Sequence, residues 1–380
     1  MQLGWSSLPP GGRKSGANGL VLHPLGVRPG TAYHSRMSHD PPRQRRVRYQ
    51  GTHPRRFQEK YKELDPEQHA DELEKVLARG HTPAGTHRSI MVQEILAALA
   101  LRPGEVVLDA TLGYGGHAKE ILPRLLPGGH LHGVDVDPLE LPRTEARLRA
   151  LGFDEAVFTA HRMNFAGLPR LKALVGGFDG VLADLGVSSM QIDNPARGFS
   201  WKTDGPLDLR LNPQRGRSAA DLLTTLDEAT FAELLVENAD EPHAAAIARE
   251  AHGHALRTTR ELAQCVRTAL LQVHELDREA ETKKSLQRTF QALRIAVNDE
   301  FTVLDQFLAL LPACLNPGGR VAILTFHSGE DRRVKKAFQQ GFREGIYAEM
   351  APDPIRASPE ERRANPRSTS AKLRWARKIT

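Results

Sequence analysis

Four short apolar runs, each ending where a helical or glycine-rich pattern begins, constrain this chain more than any other feature. They are Glu105-Val-Val-Leu-Asp109, His130-Leu-His-Gly-Val-Asp135, Ala156-Val-Phe-Thr-Ala160 and Phe178-Asp-Gly-Val-Leu-Ala-Asp184. Helical patterns over His117–Leu126 and 138–151 separate the first three. An earlier one, Ile90–Leu99, is stopped by Pro103-Gly104. Strands that alternate with helices predict a parallel sheet covered on both faces. The alternation stops after the fourth run. Residues 190–215 read as a loop rich in Asp, Pro, Gly and Arg, and 218–285 as helical throughout. It resumes with a helix over 289–311, the turn Asn316-Pro-Gly-Gly319 and the strand Arg320–Phe326. The expected fold is an α/β nucleotide-binding sheet interrupted by a helical insertion.

The turn after the first strand carries Gly113, Gly115 and Gly116. Glycines there let the backbone approach a ligand, and the following helix offers free N–H groups. A Gly-x-Gly turn alone is weak evidence. About twenty residues on, the second strand ends in Asp135, where a carboxylate can accept hydrogen bonds from both ribose hydroxyls. Asp109 stands four positions ahead of the glycines. A carboxylate there repels a pyrophosphate but can bind a cationic amino group. S-adenosyl-L-methionine has an α-amino group and a sulfonium and no phosphate, so the charges favour it over a dinucleotide. The alternative for Asp109 is a residue that caps the turn. His117 is read as lining the methionine end of the pocket. No partner stands beside it at ligand spacing, so no metal is expected.

Acceptor chemistry is expected in the loops that follow the fourth and fifth strands. Asp184 opens Asp184-Leu-Gly-Val-Ser-Ser-Met-Gln191. Methyl transfer to nitrogen needs an aligned lone pair and an acceptor for an N–H, and Asp184 is placed to be that acceptor. The alternative is an N-cap or loop carboxylate. The stretch 193–210 combines Arg197, Lys202 and Arg210 with Phe199 and Trp201. Such cations can hold phosphates and such aromatics can stack on an unpaired base, or the aromatics can be structural. His327 and Ser328, after the fifth strand, either touch the acceptor or pack.

The matching blocks resemble the MraW/RsmH family of 16S rRNA (cytosine-N4)-methyltransferases. They are Asp109-Ala-Thr-Leu-Gly-Tyr-Gly-Gly-His117, Asp184-Leu-Gly-Val-Ser-Ser189, Arg197-Gly-Phe-Ser200, Asp204-Gly-Pro-Leu-Asp208 and Thr289-Phe-Gln-Ala-Leu-Arg-Ile295. Val297-Asn-Asp-Glu300, Pro317-Gly-Gly-Arg320, Phe326-His-Ser328, Glu330-Asp-Arg332, Asn365-Pro-Arg367 and Ser370-Ala-Lys-Leu-Arg374 continue them in family order. The resemblance implies a class I methyltransferase Rossmann-like sheet with an inserted all-helical domain. It implies cofactor contacts at Gly115, Gly116, His117, Asp135, Phe165, Asp184 and Gln191, with Phe165 against the adenine. It also implies methylation of a cytidine N4 in small-subunit rRNA within the assembled 30S subunit, with homodimerisation left open. The family's usual His-x-Pro-Val-Leu, Tyr-Gly-Glu-Glu, His-Pro-Ala-Thr-like and Ser-Leu-Glu-Asp-Arg blocks read here His87-Arg-Ser-Ile-Met91, Asn238-Ala-Asp-Glu241, Lys284-Ser-Leu-Gln287 and Ser328-Gly-Glu-Asp-Arg332. The competing readings are a methyltransferase for another RNA or DNA amine, and a non-catalytic RNA-binding assembly factor.

The organisation expected is a disordered basic extension over 1–54, a helical extension over 55–86 and the methyltransferase domain over 87–210. A helical insertion over 211–286 follows, then the rest of the methyltransferase domain with a basic C-terminal tail over 287–380. Net charge is +6, and the first sixty residues contain only two acids, Asp40 and Glu59. Basic ends suit a polyanion such as RNA, or simply solubility. The Arg-rich leader also fits a transit peptide or an over-extended gene start, with Met37 a later beginning. Cys265 and Cys314 form no Cys-x-x-Cys pair and fit a reducing compartment. With no secretory core and no long apolar run, a cytoplasmic protein without a membrane partner is expected.

Overall fold

Strand β1 (Val106–Asp109) is buried on both faces, as expected of a central parallel strand. In the computed structural model it pairs in parallel with β2 (His130–Asp135) on one side and β4 (Phe178–Asp184) on the other. Asp109 therefore lies level with Gly133 and with Leu182. The structure describes residues 89–271 and 278–380. The readings of 1–54, of 55–86 and of the Met37 start lie outside the described residues.

Seven strands form one sheet in the order β3-β2-β1-β4-β5-β7-β6, with β3 Phe158–Arg162, β5 Leu315–Thr325, β6 Tyr347–Met350 and β7 Lys372–Lys378. The first five run parallel, and β7 is antiparallel to both β5 and β6. This is the class I methyltransferase sheet. Chain order reverses between β1 and β4, so the crevice for a ligand opens at their carboxyl ends.

The strand pleat divides the core between two layers. Leu108, Val134, Val181 and Ile323 face α4 (Leu168–Val175), α11 (Glu300–Cys314) and α12 (Ser328–Arg343). Val107, Leu131, Leu182 and Leu324 face α1 (Val92–Leu99), α2 (Ala118–Leu125) and α3 (Glu140–Ala150). A third apolar core belongs to the insertion. Phe199, Leu207 and Leu209 pack there with Phe231 of α7 (Glu228–Ala239), Ile247 of α8 (Ala244–Ala251), Val266 of α9 (Thr259–Leu271) and Phe290 of α10 (Arg278–Asn298). Two short helices, α5 (Ser189–Asp193) and α6 (Ala219–Leu223), lead into it. Among the described residues no helix is long and apolar enough to cross a membrane.

Four local features differ from the sequence reading. The third strand starts at Phe158 rather than Ala156, because the Asp154 carboxylate accepts the Ala156 N–H and its carbonyl accepts that of Phe158, closing a turn. The helix expected over 289–311 is two helices. Asp299 at φ +51° breaks it, and the Asn298 side chain spans the break by donating to the carbonyls of Leu209 and Arg294. Helix α10 runs without interruption past residue 286, the expected end of the insertion. The segment read as a basic tail is β7, an inner strand of the sheet. Its Arg374 and Lys372 both pair with Asp331 at 2.7 Å, and its Arg377 pairs with Glu349 at 2.7 Å. A short helix, α13 (Pro359–Ala364), precedes it.

Candidate active site

The carboxyl ends of β1, β2 and β4 bring Asp109, Asp135 and Asp184 together around one glycine turn. Asp109 is buried, and its Oδ1 accepts the Thr111 N–H at 3.1 Å. Burial pushes its carboxyl up to about 7. The Thr111 hydroxyl in turn accepts the Asp184 N–H at 2.6 Å, tying the first strand's turn to the fourth strand. Gly113, at φ +49°, donates its N–H to Asp135 Oδ2 at 2.8 Å, and the Asp137 N–H donates to the other oxygen at 2.8 Å. These bonds aim the Asp135 carboxylate and leave further lone pairs for a ligand. Burial raises its pKa in spite of them. Gly116 packs closely against the Ser89 side chain, whose hydroxyl a Cβ at this position would displace.

His117 closes the turn, with Nε2 3.4 Å from Asp184 Oδ2. Burial opposes its charge, but the Asp184 carboxylate outweighs that and raises its pKa. Three carboxylates thus gather at the carboxyl ends of β1, β2 and β4, with the His117 imidazole against one of them. A buried acid held near 7 is what a site for an ammonium contains before its ligand arrives. The set fits a ligand with a cationic amino acid at one end and a diol at the other. Phe165 lies half-buried after β3, edge-on to Phe307 at 5.1 Å.

Gln191 enters the site indirectly. Its Oε1 accepts the Ser188 N–H in a capping box, and its Nε2 donates to Asp137 Oδ2 at 2.9 Å. Asp137 is fully buried and is the residue that sequence reasoning missed. Its Oδ2 also receives Arg197 Nη1 at 2.7 Å, while Arg197 Nη2 donates to the carbonyls of Arg210 and Leu211. A single buried ion pair therefore joins the loop after β2 to the loop after β4. The available signal was the second acid two residues beyond Asp135.

Of the two readings of the 193–210 loop, the structure favours structural aromatics over a set of free cations and stacking rings. Arg197 is buried on Asp137, and Arg210 is held bidentate by Asp208. Phe199 belongs to the insertion core, and Trp201 packs 5.8 Å from Phe290. Only Lys202 of that set is exposed.

His327 and Ser328 follow β5, next to β4. His327 Nε2 lies 3.1 Å from Glu330 Oε1, and Ser328 Oγ lies 3.4 Å from Asp240. Burial works against charge on Glu330, but His327 and Arg294 outweigh it and hold its carboxyl below the usual range. Glu300, His327 and Glu330 place ligand atoms within 4.8 Å of one another, a cluster the sequence reading did not foresee. Arg294 already neutralises Glu300 through bonds of 2.8 and 2.9 Å.

One changed block meets an unchanged residue of another: Ser285 Oγ, on α10, donates to buried Glu241, just past the end of α7, at 2.8 Å. At Gly329, a Cβ would lie 2.5 Å from Phe301 Cζ, so Phe301 occupies the space that a leucine would need.

Residues 84–379 match the model of the MraW methylase family. A protein named ribosomal RNA small subunit methyltransferase H 2, from Alkaliphilus metalliredigens, is 56% identical over 344 residues, which cover 89% of this chain and 99% of that protein. One named ribosomal RNA small subunit methyltransferase H 1, from Lachnoclostridium phytofermentans, is 52% identical over 342 residues, or 89% of this chain and 93% of that protein. The sheet order, the acidic crevice on its carboxyl rim and these matches agree: the chain belongs to the MraW methylase family, and its methyl donor is S-adenosyl-L-methionine.

Proposed function

We propose that the chain transfers the methyl group of S-adenosylmethionine to the exocyclic N4 of a cytidine in small-subunit rRNA, within the assembled 30S subunit. The observation that carries this reading is the placement of Asp184. It ends β4 beside the glycine turn, 29% exposed, with buried His117 behind it. The names of the relatives support rRNA as the substrate.

In this reading Asp109 takes the α-amino group, Asp135 the ribose diol and Phe165 the adenine edge. S-adenosylmethionine supplies an electrophilic methyl group when bound. Asp184 accepts an N–H of the cytosine amine and turns the nitrogen lone pair toward the methyl; the N–CH3 bond forms as the S–CH3 bond breaks, and the proton that the methylated amine sheds passes to the Asp184 carboxylate. His117 keeps Asp184 in place. The target base has to leave any stack to reach Asp184. Gln191 acts through Asp137, and His327 with Ser328 forms the wall from β5.

The test is Asp184→Asn, which keeps the shape and removes the acceptor's charge. With labelled S-adenosylmethionine and small subunits lacking the modification, transfer should fall about 100-fold or more while cofactor binding changes by only a few fold. Transfer at the wild-type rate overturns the role of Asp184. Normal cofactor binding with no transfer by the wild-type protein favours the non-catalytic assembly factor.

A further inference from the structure

We propose that Arg162, Arg170 and Arg215 form a docking groove for the phosphodiester backbone of the acceptor RNA, beside the cofactor's adenine end. The inference rests on the RNA reading above and names the part of the surface that would grip the strand. The three arginines line a concave pocket of about 590 Å³ together with Met163, Asn164 and Gly167. Arg162 ends β3, Arg170 lies in the first turn of α4, and Arg215 reaches the pocket from the loop ahead of the insertion. Three separate stretches of chain thus converge, and no acid lines the pocket.

Six other arginines behave differently. Arg143, Arg149, Arg197, Arg210, Arg320 and Arg374 each pair with a carboxylate. Arg162, Arg170 and Arg215 are exposed and have no ion-pair or side-chain hydrogen-bond partner among the described residues. Like charges gathered without counter-charge repel each other, and an anion in the pocket relieves that. S-adenosylmethionine has no phosphate, so the anion has to come from the acceptor. The pocket lies at the carboxyl end of β3, the end of the sheet that also holds Asp109, Asp135 and Asp184, and residues on either side of Phe165 in the chain line it. Guanidinium forks match phosphate oxygens in geometry as well as charge.

The experiment compares the wild type with R162Q/R170Q/R215Q and with R267Q, an exposed control on α9. Methyl transfer to small subunits is measured against salt concentration, and binding of a protein-free single-stranded RNA oligonucleotide is measured in parallel. The triple variant should raise KM for the small subunit at least tenfold, with kcat and cofactor affinity within twofold. Its log–log salt dependence of oligonucleotide binding should weaken by about 2, since each phosphate contact on a single strand contributes about 0.7. R267Q should change neither. An unchanged KM with an unchanged salt slope overturns the proposal. So does a raised KM with unchanged oligonucleotide binding, which would mean that the pocket docks a ribosomal protein. If the wild type transfers no methyl group to small subunits, the functional reading fails instead, and the oligonucleotide salt slope still decides the groove.

Discussion

Asp109 is the residue whose chemistry should be most visible in solution. An ordinary aspartate titrates near 3.8, and burial holds this one near 7 when no ligand is present. The native protein therefore keeps a proton that the unfolded chain releases between those values. This group's contribution to stability should fall as pH rises from about 4 to about 7 and then level off. A bound ammonium reverses the preference, so affinity for S-adenosylmethionine should climb over the upper part of that range. Binding at pH 6 should release up to one proton, which calorimetry in buffers of different ionisation enthalpy detects. Asp109→Asn should abolish the release, and a wild-type release of zero contradicts the assignment. Asp109, Asp135 and Asp184 were legible in the sequence because each ends an apolar run, where a charge has no packing reason to be. Asp137 was not, because its meaning depends on Arg197, sixty positions away and brought to 2.7 Å only by the fold.

At the scale of elements, the Arg197–Asp137 pair fastens the acceptor-side loop to the cofactor side. Arg197→Met leaves Asp137 buried with its main counter-charge gone. Removing one partner of such a pair costs about 3–5 kcal/mol, which denaturant unfolding measures. A loss under about 1 kcal/mol would show the pair to be incidental. Helix α12 offers a second test. Gly329→Leu restores the family's usual residue but drives it into Phe301, so it should destabilise the protein, and adding Phe301→Ala should recover most of the loss. Strands β1, β2 and β4 were readable from their apolar runs. Strand β7 was not, because its four cations hide a strand buried on both faces, with Leu373 packed in one layer of the core, Ala376 in the other, and buried Arg374 neutralised by Asp331. The break at Asp299 was hidden for a related reason: the Asn298 side chain that caps it finds its partner carbonyl on Leu209, far away in sequence.

The whole molecule sorts its positive charge into two kinds. Cations at β7 and in the 193–210 loop are largely consumed by carboxylates that hold the fold. Arg162, Arg170 and Arg215 at the β3 edge have no such partner among the described residues. A net charge of +6 therefore says little about where a polyanion would lie until the pairing is known. Within the insertion, the changed residue Ser285 is satisfied by buried Glu241, and the cofactor turn keeps its family block. That arrangement predicts unchanged chemistry at the rim of β4. The most direct test is to digest small-subunit rRNA after incubation with the protein and labelled S-adenosylmethionine, and to identify the labelled nucleoside by chromatography and mass spectrometry. N4-methylcytidine at a single position is the result expected. Label in any other nucleoside would contradict the account.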